Sequence, residues 1–438
     1  MLGASRSPLG EPRPSYRSWA HPSLLDQVCL SLLWFAFYAQ WLTVVPILVP
    51  DQVATILGAD ASQKEGLSGS VVAAGAAVAL VIAPVAGALS DRARSPLGRR
   101  RPFLIIGIAG TCLALLAMVP FGPGSSLLLY TAAFLNLQFW WNWAAGPYAG
   151  LIPDVVPAAG RATASAWMNV MSVFGSISGN LLVALFYAPG RPAVVVAMLV
   201  AVNLVCLALT LRFVHEPPAT AVATPFALGA FLRSFYVDPH AHGNFYWVLI
   251  TRLAGNMGVW SIFTFLLFYL RDVIGVAKAE TVLPVLLGAG AVVAVPASIV
   301  GARLADRYGL VRVVSATSWI MAAAATGYVL VAFAPNLILV APIVVIFAAS
   351  YGAYQAVDWA LALAVLPSGE SAGKDMGIWH IALVLPQIIG PALTGWIISG
   401  AKHAVSDVFA YTVAFGIAAL WFLLSAALVV RVRLVRSG

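Results

Sequence analysis

Charge is scarce in this sequence. Only 9% of its 438 residues are Asp, Glu, Lys or Arg, against roughly 25% in a soluble domain. With 61% hydrophobic residues, too little polar surface remains to clothe a water-soluble chain, so a soluble globular protein is excluded. Cysteine is nearly absent. Cys29, Cys112 and Cys206 all fall inside apolar runs at unrelated spacings, which argues against a disulfide framework or a thiolate metal site and reads them as small buried hydrophobes. His240 and His242 lie in a Gly/Pro-containing stretch without a third ligand, so they read as linker residues. Residues 1–24 lack an apolar h-region, so no cleaved signal peptide is expected. No nucleophile–base pair or metal cluster converges anywhere, and neither an enzyme nor a bound cofactor or metal is expected.

What is present is a series of apolar runs, each long enough to cross a bilayer at about 20 residues per span. They fall at 28–50, 67–90, 103–120, 127–152, 164–187, 192–214, 245–270, 282–303, 311–333, 337–366, 375–399 and 405–430. The expectation is an all-α polytopic membrane protein of twelve transmembrane helices in two pseudo-equivalent six-helix bundles. Its parts are an N-terminal tail (1–24), a first bundle (25–214), a linker (215–244), a second bundle (245–430) and a C-terminal tail (431–438).

Between the second and third runs, Asp91 to Pro102 holds Arg92, Arg94, Arg99, Arg100 and Arg101. A hydrocarbon core cannot hold such a cluster. It must be a turn at the membrane surface, and retention of basic residues on the cytoplasmic side assigns its side. With both termini and alternate loops on that side, only Lys64, Arg191, Arg271, Lys278 and Lys402 of the 24 basic residues fall on the other. The net charge of +8 thus implies anionic lipid headgroups as neighbours and no nucleic acid. A bacterial cytoplasmic membrane and a monomer are the expected setting.

The halves echo one another, as in repeated transporter architectures. Asp91-Arg92 has a counterpart in Asp306-Arg307. Pro153-Asp154-Val155-Val156-Pro157, Arg161 and Ser165-Ala166-Trp167 parallel Pro367-Ser368, Lys374 and Gly377-Ile378-Trp379.

Ionisable residues inside apolar runs are functional candidates by default. Few qualify here: Asp358 in the tenth run, His380 in the eleventh and Arg252 in the seventh. Amides and aromatics supply the rest: Tyr38, Gln40 and Trp41 in the first run; Gln138, Trp141 and Asn142 in the fourth; Asn169 in the fifth; Asn256 and Trp260 in the seventh; Tyr351 and Gln355 in the tenth; Trp379 and Gln387 in the eleventh. Neutral hydrogen-bonding groups set among flat aromatic faces suit a sugar. Helix-to-helix hydrogen bonding would use the same residue types.

The motif Gly87-x-x-x-Asp91-Arg92 followed by Gly98-Arg99-Arg100-Arg101 resembles the helix 2–3 signature of the major facilitator superfamily. Its extension to Pro102-Phe103 is similar to the sucrose:proton symporters and the glycoside–pentoside–hexuronide:cation symporters. The segments 151–167 and 355–379 add to that likeness. The resemblance implies uptake of a sugar or glycoside with a co-transported cation in an alternating-access cycle. It also implies a cytoplasmic gate built from Asp91, Arg92, Arg99, Arg100, Arg101, Asp154, Arg161, Asp306 and Arg307. The sequence departs from the family where sucrose:proton symporters carry an acid midway along helix 4; Gln138 or Asn142 stands there instead. Three readings follow: a proton-coupled sugar symporter using Asp358 and His380, with sodium as the alternative cation; an uncoupled facilitator of a sugar or other small polar solute; and an exporter.

Overall fold

The computed structural model describes residues 23–157, 160–216, 242–365 and 372–433. Twelve long helices carry nearly all of them: α1 (Leu24–Leu57), α2 (Lys64–Arg92), α3 (Arg101–Ala117), α4 (Leu127–Ala149), α5 (Arg161–Phe186), α6 (Ala193–Phe213), α7 (Gly243–Asp272), α8 (Ala279–Tyr308), α9 (Leu310–Phe333), α10 (Leu337–Ala364), α11 (Ala372–Ala404) and α12 (Asp407–Val429). Ten are long and apolar enough to cross a membrane. Of the others, α3 has only 17 residues, and the hydropathy of α4 is lowered by Asn136, Gln138 and Asn142, the polar residues that single it out in the sequence.

Local chemistry sets the helix ends. The α1 helix starts at Leu24 rather than 28 because Ser23 and Asp26 form a capping box, each satisfying an N–H that the first turn leaves open. Side chains of Ser126, Asn336 and Ser406 cap α4, α10 and α12 in the same way. Pro46 has no N–H to donate, and α1 passes it by widening into a π turn over Val44–Leu48. After α4 the chain turns at Gly150 and resumes as the short helix Leu151–Val155. Of the expected linker, residues 217–241, His240 among them, lie outside the described residues, as do most of both expected tails.

The helices form two six-helix bundles, α1–α6 and α7–α12. One end of the molecule holds the arginine turn, the start of α1 and the end of α12, and is called the basic end below. At the opposite, far end the two bundles meet most closely along α2 and α11. A Cβ at Gly69 would lie 2.1 Å from the Pro391 carbonyl, and one at Gly395 would lie 2.4 Å from that of Glu65. Only glycine permits backbones this near.

Candidate substrate cavity and its two ends

Midway along the molecule the two bundles touch through aromatic rings. Trp41 of α1 meets Trp260 of α7 edge-on, with centroids 5.5 Å apart, and stacks on Phe263 at 6.2 Å. Trp260 is 4% exposed. Just towards the basic end of this plug, Tyr38 is 36% exposed, although it sits mid-span beside Trp34 and Trp41 and within electrostatic reach of Tyr351 on the opposite bundle. A mid-span phenol left partly uncovered beside the opposite bundle marks the candidate cavity.

Helical periodicity puts residues three and four apart on one face. On α7 that face carries Arg252, Asn256 and Trp260; on α10 it carries Tyr351, Gln355 and Asp358. Arg252 and Asp358 are 2% and 0% exposed and form an ion pair through Nη1 and Oδ2. One turn further from the basic end, Asn256 donates Nδ2 to the Arg252 carbonyl (2.9 Å). Gln387 of α11 lies one turn from Gly390, whose position abuts Trp260, and donates to the Leu383 carbonyl (3.3 Å).

On α4 the Trp-Trp-Asn-Trp run divides between neighbours. Trp140 packs over Gly110 of α3, and Trp143 stacks on Phe103. Trp141 turns to Phe37 of α1. Asn142 donates to the Gln138 carbonyl (2.8 Å), and Gln138 lies against Gly75 of α2. Two expected binding residues do not join this group. Gln40 is buried facing α6, where its Oε1 accepts from Asn203 Nδ2 (3.0 Å), and Asn169 is exposed near the basic end of α5. Trp379 and His380 belong to α11, but their side chains lie outside the described residues.

The basic end is organised within the first bundle. Arg99 Nε and Arg100 Nε donate to Asp154 Oδ2 at 3.0 and 2.8 Å, and Arg100 also pairs with Asp91. Arg101 donates to the Leu211 carbonyl, Arg92 to that of Ala88 (2.6 Å) and Arg161 to that of Val156 (3.2 Å). On the second bundle, Asp306 and Arg307 are exposed at the end of α8, the guanidinium lying over the Tyr308 ring at 5.3 Å.

The far end is a charge network that sequence reasoning missed. Lys64 of α2 pairs with Asp272 of α7 at 2.7 Å. Lys402 of α11 reaches Glu65 of α2 at 2.9 Å, Asp272 at 3.1 Å and Asp407 at 3.1 Å. Arg271 of α7 pairs with the buried Asp51 of α1 at 2.7 Å, and Tyr187 donates its hydroxyl to the same carboxylate (2.7 Å). Three of these links bridge the bundles. A signal was available: Lys64-Glu65 and Arg271-Asp272 set opposite charges side by side, which orientation alone does not require. These links and the glycine contacts of α2 and α11 join the bundles on the far side of the Trp41–Trp260 contact from Tyr38.

A description of the Major Facilitator Superfamily matches residues 30–373. The chain belongs to that superfamily. It is a multi-pass membrane protein. The chain is similar over part of its length to the rice (Oryza sativa subsp. indica) sucrose transport protein SUT5, 29% identical over 147 residues that cover 27% of each chain. Sucrose transport protein SUT2 of the same plant is 33% identical over 120 residues, 23% of this chain and 24% of that one. The matches thus span about a quarter of the length of these relatives. Among solved structures, a mutant of the nucleoside transporter NupG superposes with a TM-score of 0.73 at 14% identity, covering 93% of this chain and 99% of that one. The D-xylose-proton symporter does so with 0.71 at 12% identity, covering 94% and 98%. At such identities the likeness shows the fold.

Proposed function

We propose that this transporter carries a sugar, either a disaccharide or glycoside such as sucrose or a monosaccharide, by proton-coupled symport in an alternating-access cycle. The observation that carries the reading is the buried Arg252–Asp358 pair, set on helix faces that also carry amides and aromatic rings. The partial likeness to sucrose transport proteins supports the substrate class. Asp358 is the proton site. Protonation removes its charge and releases Arg252, so the pair senses both the proton and whatever fills the cavity. His380 is the second candidate for proton transfer. By charge bias the basic end faces the cytoplasm, and the arginine turn, with Asp154, Arg161, Asp306 and Arg307, is the gate that closes there when the far end opens.

An uncoupled facilitator is the second reading, favoured by one feature: Arg252 and Asp358 come from the same bundle, as a purely structural pair would. Uptake of labelled sucrose into proteoliposomes with an imposed proton gradient separates the two. Asp358→Asn is expected to abolish accumulation while leaving equilibrative exchange. Accumulation that survives the substitution with its pH dependence intact overturns the coupling role.

A further inference from the structure

Two glycines draw α5 onto α1: a Cβ at Gly175 would lie 2.1 Å from the Phe35 carbonyl oxygen, and one at Gly179 would lie 2.3 Å from that of Ala39. Hydrogen bonds hold α6 to α1 as well, Thr210 Oγ1 donating to the Cys29 carbonyl (3.1 Å) and Asn203 Nδ2 to Gln40 Oε1 (3.0 Å). Both helices thus pack on α1 and scarcely on each other, whereas their counterparts in the second bundle, α11 and α12, pack together. What is left between α5 and α6 is a groove of about 550 Å³, floored by Leu32 and Phe35 of α1 and walled by Met171 and Phe174 on one side and Val205 and Leu209 on the other. Since α6 packs chiefly on α1 and α3, and no residue of the second bundle lines the groove, its open side faces lipid.

Every lining side chain is apolar but for the Cys206 thiol, and a groove left unfilled forfeits the dispersion contacts of its walls. At a helical rise of ~1.5 Å per residue, the α6 wall from Leu209 to Ala201 extends about 12 Å, within the ~15 Å of one leaflet. Towards the basic end that wall runs on into charge. Val202, Val205, Leu209 and Arg212 follow one another three or four residues apart, hence on one face. Arg212 is exposed, lies over the Phe213 ring at 5.6 Å and forms no ion pair with a described residue. Arg101 brings a second guanidinium to the same turn by donating to the Leu211 carbonyl. The acids nearby are engaged elsewhere, Glu216 by the N–H groups of Arg100 and Arg101 and Asp26 in the α1 capping box. On the opposite wall the half-buried Trp167 lies one turn from Met171, in the direction of the membrane surface where indoles gather.

We propose that the groove between α5 and α6 binds an anionic phospholipid of the leaflet at the basic end, with one acyl chain lying between the helices and the phosphate meeting Arg212, Arg101 standing beside it. The chain takes the place that direct contact fills between α11 and α12. Arg212 selects the charge of the headgroup, because a phosphate there meets a guanidinium that no carboxylate neutralises. A lipid so placed is held in preference to the surrounding bilayer, and it belongs to the first bundle whatever solute the protein carries.

The test is lipid retention. Full-length protein is purified in detergent from membranes of phosphatidylglycerol and phosphatidylethanolamine, washed with excess detergent, and its remaining lipid extracted and quantified by mass spectrometry. Wild type is expected to keep phosphatidylglycerol that washing does not remove. Val205→Trp, which fills the groove, should lose it, whereas Leu330→Trp, at an exposed position of α9, should not. Ala201→Phe fills the same groove from a second position and keeps the test open if Val205→Trp does not fold, as judged by monodisperse elution. Arg212→Gln should retain phospholipid with its preference for phosphatidylglycerol over phosphatidylethanolamine reduced about fivefold, the effect of one arginine near an anionic surface. A wild type that washes free of phospholipid, or retention unmoved by filling the groove, overturns the site. An unchanged headgroup preference in Arg212→Gln overturns the anionic assignment.

Discussion

Gly98 and Glu216 show how the arginine turn keeps its shape. Gly98 adopts φ +102°, which disfavours any residue with a Cβ, and a Cβ there would fall 2.3 Å from Glu216 Oε2. That carboxylate accepts the backbone N–H groups of Arg100 (2.8 Å) and Arg101 (3.3 Å), capping α3 where donors would otherwise be unmet. Burial pushes the Glu216 carboxyl above its ordinary range, while those N–H groups pull it back. The folded state therefore holds this proton more tightly than the unfolded chain. Glu216 contributes increasing stability as pH falls through its raised pKa towards the ordinary value of about 4.3. Thermal unfolding in detergent should show wild-type Tm gaining on that of Glu216→Gln as the medium is acidified. A difference independent of pH would refute the linkage.

At the scale of elements, α2 and α11 form the tightest seam between the bundles. Besides the glycine contacts, the Gly66 N–H donates to Ser399 Oγ (3.0 Å) and Trp396 Nε1 to Ser70 Oγ (3.1 Å). A seam held by backbone proximity opens or stays shut as a unit, because interiors packed to crystal density do not yield gradually. Gly69→Val should drive α2 from α11 and favour the far-end-open form. Spin labels on the far-end tips of the two helices should report a longer distance, with lower thermal stability from lost packing. An unchanged distance distribution would show that the seam does not govern opening.

For the whole molecule, the far-end ion pairs and the basic-end cluster make opposite kinds of contact. The first bridges the bundles; the described pairs of the second stay within one bundle. In the proposed alternating-access cycle the former must break. Lys402, 18% exposed at its side chain, is the hub of three carboxylates. Removing it should cost the closed form between ~1 kcal/mol for an exposed pair and ~3 kcal/mol for a buried one. Lys402→Ala is thus expected to raise the far-end-open population several-fold or more, read as faster modification of a cysteine placed at Tyr38 from the far side. Lys402→Glu with Glu65→Lys should restore part of the closure. Unchanged labelling in the single variant would remove Lys402 from gating.

Composition and run length were enough for the number of helices, because hydrocarbon admits only long apolar helices and a surface turn is the one place for clustered arginines; the two halves rested on the repeated motifs, and the superfamily on the resemblance carried by Gly87 to Phe103. The polar residues of the fourth and tenth runs were legible for the same reason: each stands out against an apolar background. Direction was not legible. Gln40 and Tyr38 are two residues apart, yet one faces α6 and the other the cavity, since hydropathy carries no phase when every face of a helix is apolar. Pairing was equally hidden. Arg252 and Asp358 lie 106 residues apart, as do Lys402 and Glu65 across 337, and only the packing of α7 on α10 and of α2 on α11 brings these opposite charges within reach.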